Sequence, residues 1–438
     1  MATLFKKIIL ILVSAAALLG LLYLAQRILM PKYVNELKDG ALIREYYKQN
    51  EKHDIIFIGD CEAYTGFIPS VLKEEYGLSS FVRGSAAQRI WQSYYLLAET
   101  FEYETPGAVV FSVYGAVHDK VEKEEYNRLL FDGMKNSKYK YAAIRESMTE
   151  GESLISYVFP LLRYHSRWNR LTKDDLKYAF DTPLISDNGY LGHEEVKAAE
   201  YIPEPKPLSD YSLPDISMEY LEKMYELCKK HGTQLILVKT PVLYPYWYPE
   251  WDAQIKEFAD SKGITYYNYL ERIDEIGLDF AKDTYDGGQH LNDSGAGKLT
   301  RYFGDQMING DRLGFSAFLD GITLRPGEVF DKEAVKNELL GTFTDDSCAF
   351  DASDIIYSYA DFVVTVSEEG IIREVRFTTD KYKTAEGISL GMGEKDVEER
   401  YKDIKKENGE ILLKKGDTEL VFVLDKDEII SIEYRSAL

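Results

Sequence analysis

Cysteine is scarce in this chain, with three among 438 residues. They stand at 61, 228 and 348, an odd and widely spaced set, which excludes a disulfide framework. There is no CxxC pair and no Cys/His cluster, so neither zinc nor any other metal or cofactor is expected. Positive charge is also short. The 52 Lys and Arg are outnumbered by 74 Asp and Glu, a formal net charge of −22. Phosphate recognition needs a basic face, so a nucleic-acid partner is excluded. What is present fits packed domains: 45% of residues are apolar and 13% aromatic. The 34 tyrosines suit either core packing or a surface that handles sugar-like ligands.

The clearest compositional signal is N-terminal. Lys6 and Lys7 precede an uncharged run from Ile8 to Gln26, closed by Arg27. At about 1.5 Å per residue the run matches a bilayer core. No small-x-small cleavage site ends it and no cysteine follows it, which points away from a signal peptide and excludes a lipoprotein. Residues 1–30 therefore read as a signal-anchor. The expectation is a single pass in the cell membrane with the bulk of the chain extracytoplasmic. Residues 31–53 read as a juxtamembrane helical linker.

The stretch Asp54-Ile55-Ile56-Phe57-Ile58-Gly59-Asp60-Cys61 organises the chain beyond the linker. Its continuous apolar run predicts a strand buried on both faces, and Gly59 permits a sharp bend. Further strands are expected at Ser80–Val82, Ala108–Val113, Gln234–Lys239 and Ile264–Tyr267, with helices between them. Alternating strands and helices imply a parallel α/β sheet, whose ligands bind at the carboxyl ends of the strands. A long insertion, 117–215, follows the third strand. It holds expected helices at Glu124–Met134, Tyr141–Met148 and Ser153–Leu171, and reads as a lid with His165 as a contact or as a packing subdomain. The aromatic loop from Tyr244 to Trp251 reads as a sugar-stacking surface or as hydrophobic cover. His53, His118, His193 and His231 read as solvated, and Cys228 as a core residue.

Residues 312–438 change texture and carry no histidine. Gly321-Ile322-Thr323-Leu324-x-x-Gly327 recurs as Gly387-Ile388-Ser389-Leu390-x-x-Gly393. Each copy is followed by an apolar stripe at helical spacing (Val335 and Leu339; Val397 and Tyr401) and then by paired strands. A duplicated α+β module serving binding or structure is expected.

The strand ends of the α/β part bring chemistry together. Cys61 follows the first strand, at a helix N-terminus that would favour its thiolate. Asp60 reads as the cap of that helix, and Glu62 beside the thiol would raise its pKa. Gly84 ends the second strand and Ser112 the third, while Asp286 and His290 follow the fifth. A nucleophile, donors for an oxyanion, and a base with its orienting carboxylate are what acyl transfer requires.

These residues carry a resemblance. Over roughly residues 54–310 the chain resembles the SGNH (GDSL) hydrolases, most closely their membrane-anchored bacterial branch. Gly59-Asp60-Cys61 stands where that family has its Gly-Asp-Ser nucleophile block. Gly84 matches the glycine whose NH serves the oxyanion hole, and Asp286 to Asn292 resembles the terminal Asp-x-x-His-Leu-Asn block. The resemblance implies a flavodoxin-like three-layer α/β/α sandwich with five parallel strands in an SGNH-like domain, 54–311. It implies Cys61, His290 and Asp286 as the catalytic set, with Asp60, Gly84 and Ser112 in the oxyanion and substrate-binding role. Three departures stand out. Cysteine replaces serine, Ser112 or a neighbour stands where the family has an asparagine, and the terminal block holds one extra residue. Gly287-Gly288 could absorb that residue as a bulge. The implied function is an ester hydrolase or O-acyltransferase on an acylated cell-surface glycan or polymer. The alternative is a catalytically degenerate scaffold or binding protein of the cell envelope.

Overall fold

The computed structural model describes residues 2–35, 37–309, 315–320, 322–346, 353–384, 386–401, 404–407, 409–415 and 418–436. Cys348 and Gly321 lie outside the described residues. The chain opens with α1 (Ala2–Leu29), a helix whose stretch Leu4–Leu29 is long and apolar enough to span a membrane and has no buried residues. Then come α2 (Asp39–Tyr46), β1 (Ile55–Gly59), α3 (Cys61–Tyr64), α4 (Pro69–Tyr76), β2 (Ser80–Gly84), α5 (Ile90–Thr100) and β3 (Ala108–Ser112). The insertion supplies α6 (Glu124–Phe131), α7 (Lys138–Ser147), α8 (Leu154–Val158), α9 (Leu161–Tyr164) and α10 (Lys173–Lys177). After it run α11 (Asp215–His231), β4 (Gln234–Lys239), α12 (Pro249–Lys262), β5 (Thr265–Asn268), α13 (Ile273–Ile276) and α14 (Asp293–Asn309).

Strands β1 to β5 form one parallel sheet in the order β2-β1-β3-β4-β5. This is the expected flavodoxin-like three-layer α/β/α fold. Every residue of β1, β2 and β3 is buried. Their side chains divide by alternation. Phe57, Val110 and Ile236 pack towards α4 and α14, through Leu72 and Phe303. Ile58, Val109 and Leu237 pack the other way, towards α5, α7 and α11, through Leu97, Ile144 and Leu221. The chain leaves β1 for β2 on one side and returns across it to β3 on the other. The carboxyl ends of β1 and β3 are therefore the switch point, where sheets of this order bind their ligands.

Two local expectations are corrected, and of the two readings of the aromatic loop hydrophobic cover is the one favoured. Residues 39–46 are not a linker, because α2 is folded into the domain, with Leu42 and Ile43 fully buried. The helix expected over Ser153–Leu171 is broken into α8 and α9. Pro160 drives Phe159 out of the helical region, to φ −121° and ψ 78°. The aromatic loop is mostly self-cover. Trp247 is buried and donates to Asp252, and Tyr248 packs edge-on against Tyr246, Trp251 and Tyr211.

The C-terminal region contains β6 (Ala317–Leu319), β7 (Ile322–Leu324), β8 (Leu339–Asp346), β9 (Ser353–Tyr359), β10 (Phe362–Val366) and β11 (Ile372–Phe377). The second half adds α15 (Glu394–Arg400), β12 (Lys405–Glu407), β13 (Glu410–Lys415), β14 (Thr418–Asp425) and β15 (Glu428–Ser436). The two meanders, β9-β10-β11 and β13-β14-β15, join through β11 and β15 into one antiparallel sheet of eight strands. The first-copy helix expected around Val335 and Leu339 does not form. Leu339 instead starts β8 and pairs with Tyr359, so the sheet ladder overrides a short helical stripe.

Candidate active site

Gly59, at φ +159°, ends β1 directly opposite Gly84 of β2. A side chain on Gly59 would come within 2.8 Å of the Ser112 Cβ, and one on Gly84 within 3.2 Å of the Gly59 carbonyl. The two glycines let three strand ends meet in one small space. Asp60 is buried, and its carboxylate accepts from the Glu62 NH at 3.1 Å, capping α3 as its sequence context suggests. Ser112 lies buried beneath the Gly59 bend, and its hydroxyl has no partner among the described residues.

The turn after β5 presents the other half of the site. Gly287 and Gly288 have φ of +90° and +101°, a left-handed pair that folds the extra residue into a tight loop. The Gly288 carbonyl is held by the Leu243 and Tyr244 NH groups at 2.8 and 3.2 Å. Within the loop one Asp286 oxygen accepts from the His290 NH at 2.9 Å and from the Gln289 NH at 3.1 Å. The other lies 2.6 Å from His290 Nδ1. The loop thus orients the carboxylate before it touches the ring. The imidazole and the Cys61 thiol are close enough to shift one another's proton affinity. With Nδ1 engaged by Asp286, Nε2 is the ring nitrogen left for a further partner. Cys61 stands more than two hundred positions from His290 and Asp286 in the chain, and the fold brings the three together.

The electrostatics differ from expectation at the thiol. Burial, then the Asp60 charge, pushes the Cys61 thiol up, against the downward pull of His290. A helix of four residues carries too little dipole to reverse this. His290 moves up to about 10. Burial works against that shift, and the attraction of the ring's positive form to Asp286 and Cys61 outweighs it. Asp286 is held below the usual carboxylate range; burial opposes this and its His290 contact dominates.

Several participants carry no signal in the sequence. Glu62 turns away from the site into a closed pocket. Lys239 Nζ lies 2.9 and 2.8 Å from its two oxygens, and Thr240 donates to it as well. Glu62 is the smallest of the influences raising the Cys61 pKa. Of the histidines expected to be solvated, His53 is buried 3.2 Å from Glu104 and His231 stacks on Phe101. His118 sits edge-on to Tyr114, and burial lowers it to about 4. His193 stacks on Tyr285 at 3.8 Å, and Tyr285 in turn stacks on His290 at 5.7 Å. A cleft of about 740 Å³ lies on this side of the site, between Tyr64, Tyr285, His193, Asp39 and Glu194. His165 is exposed and bonds the Leu162 carbonyl within its own turn.

No family model matches the chain, and no curated protein matches it. Solved structures do. A candidate acylhydrolase from Bacteroides fragilis NCTC 9343 is 13% identical, with 64% of this chain and 99% of that one covered at a TM-score of 0.31. A candidate lipolytic protein of the G-D-S-L family from Desulfitobacterium hafniense DCB-2 is 12% identical, covering 57% and 97% at 0.29. A GDSL-like lipase from Bacteroides thetaiotaomicron VPI-5482 is 14% identical, covering 59% and 86% at 0.27. These are proteins of the kind the sequence motifs resemble.

Proposed function

We propose that the chain is an SGNH-like ester hydrolase or O-acyltransferase with cysteine as its nucleophile, tethered to the membrane by α1. The observation that supports this reading is the 2.6 Å contact of Asp286 with His290, whose ring is electrostatically coupled to the Cys61 thiol. In the proposed reaction the Cys61 sulfur attacks the acyl carbonyl as its proton passes to His290 Nε2. The tetrahedral oxyanion is received by backbone NH groups of the Gly59–Cys61 bend and of Gly84. Collapse forms a thioester and expels the alkoxide, which takes the proton back from His290. Water or an acceptor hydroxyl, deprotonated by the same imidazole, then releases the acyl group. The substrate class proposed is an acylated, extracytoplasmic glycan or polymer, met in the cleft beside Tyr285.

One observation favours the rival reading, a catalytically silent envelope protein: the Cys61 thiol is pushed up, away from the thiolate. A single assay set separates the two. Wild type, Cys61→Ser and Cys61→Ala are given a panel of acetyl esters and acetylated glycans, and acid-quenched samples are searched for an acyl adduct on Cys61. Activity in wild type, retention or gain in the serine variant and loss in the alanine variant support the enzyme. Equal inactivity in all three, with no adduct, overturns it.

A further inference from the structure

The insertion is two structures rather than one lid. Its later part runs along the active rim, where the Lys197 and Ala199 NH groups bond the Thr284 and Phe280 carbonyls. Its earlier part, α8 to α10, packs against the C-terminal end of α1. There Arg27 Nε donates to the Ala179 carbonyl at 2.7 Å and Nη2 to the Phe180 carbonyl at 3.2 Å. Arg167 returns a hydrogen bond to the Leu29 carbonyl, and Lys32 sits 4.0 Å from Asp175. The end of the apolar helix and this segment therefore form one continuous surface.

That surface is unusually apolar. Ile155, Phe159, Leu162, Trp168, Leu176 and Phe180 are each between 54% and 72% exposed. By contrast, from 54 to 147 and from 203 to 309 the large apolar side chains left exposed among the described residues are Tyr103, Tyr244 and Tyr246. Charge divides in the same way. Between 153 and 180 no Asp or Glu is exposed among the described residues, whereas Arg170, Lys173 and Lys177 are, in a chain of net charge −22. A patch of this kind on an otherwise polar domain marks a contact surface. Trp and Phe beside Lys and Arg is the composition that settles at the headgroup level of anionic bilayers.

We propose that α8 to α10 form a membrane-seating face, which lays the α/β domain flat against anionic lipid around the exit of α1. The proposal rests on the reading of α1 as a membrane span. It adds a second, interfacial attachment, so the domain is held at the bilayer rather than swinging from a tether. Because α2 is folded into the domain core directly after α1, there is little free chain between anchor and seat.

The test uses the full-length chain in vesicles of phosphatidylethanolamine and phosphatidylglycerol, with or without dibrominated phosphatidylcholine. The Trp168 signal is the difference between wild-type and Trp168→Phe fluorescence. That substitution falls on a residue 72% exposed and disturbs no packing. Retention of the chain through an alkaline carbonate wash reports on α1 alone. The expected result is retention, together with a Trp168 signal quenched at least about twofold by the bromolipid. Retention with a Trp168 signal that ignores bromolipid and is quenched by aqueous acrylamide overturns the seating face and leaves the anchor standing. Release by carbonate overturns the anchor and the proposal with it. Shielding of Trp168 that depends on protein concentration in lipid-free detergent assigns the face to a second copy of the chain, which also overturns the proposal.

Discussion

Two charged groupings share the carboxyl rim of the parallel sheet. Glu62 and Lys239 are sealed, with side chains 2% and 0% exposed, and the carboxylate takes donors from Lys239 and Thr240. Asp286 and His290 are more open, at 23% and 20%, and the ring is electrostatically coupled to the Cys61 thiol. Cys61 and Glu62 are adjacent in sequence and face opposite compartments. A buried pair closed on itself fixes geometry, since breaking it strands a charge in a dry pocket. A half-buried pair coupled to a neighbouring thiol is suited to exchange a proton. On the function proposed above, the contrast gives stability to Glu62 and Lys239 and chemistry to Cys61, His290 and Asp286.

The sharpest way to break this contrast is to remove the thiol. Cys61→Ala should lower turnover by about 10³-fold or more while changing unfolding free energy by about 1 kcal/mol at most. Ester hydrolysis and denaturant titration on the same sample check both. Asp286→Asn comes next. A loss of about 10²–10⁴ in kcat is expected, because the ring loses the partner that fixes its tautomer. On the other side of the contrast, Lys239→Met should destabilise by about 3–5 kcal/mol, since Glu62 stays buried without its counter-ion. Adding Glu62→Gln should recover much of that loss; no recovery would show that the pair is not the unit proposed.

Proton linkage distinguishes the groupings further. His290 is raised to about 10, so its contribution to stability is fully present below the unfolded value near 6.5 and is lost as pH rises through about 10. Turnover should run the other way, climbing with pH as the Cys61–His290 pair releases its proton. In Asp286→Asn the climb should move to lower pH, because the partner that raises the ring is gone. A pH–rate profile on wild type and variant reads this. The smallest effect expected is at the cap: Asp60→Ala should cost about 1 kcal/mol through the Glu62 NH it leaves unbonded.

Much of the site was legible because each of its members follows a strand. The apolar runs at Ile55–Ile58 and Ala108–Phe111 mark two-sided strands, and parallel order then carries Cys61 and Asp286–His290 to one rim. Lys239 was not legible. It reads as the polar end of a strand, and only the fold around it decides that its ammonium is dry and faces Glu62. The histidines expected to be solvated find partners for the same reason. His193 meets Tyr285, and His53 meets Glu104, through contacts about 90 and 50 positions apart. The first-copy helix failed because a stripe of two residues carries less weight than a full strand ladder.

The sequence by itself determined the alternation of strands and helices, the sharp bend at Gly59 and the apolar length of α1, since these rest on neighbouring residues and short-range sterics. Tertiary structure alone decided which way Cys61 and Glu62 turn, that the exposed apolar side chains of α8 to α10 gather beside the end of α1, and that two repeats merge into one sheet. Burial, desolvation and partner choice are properties of surfaces brought together from distant parts of the chain, and no local pattern encodes them.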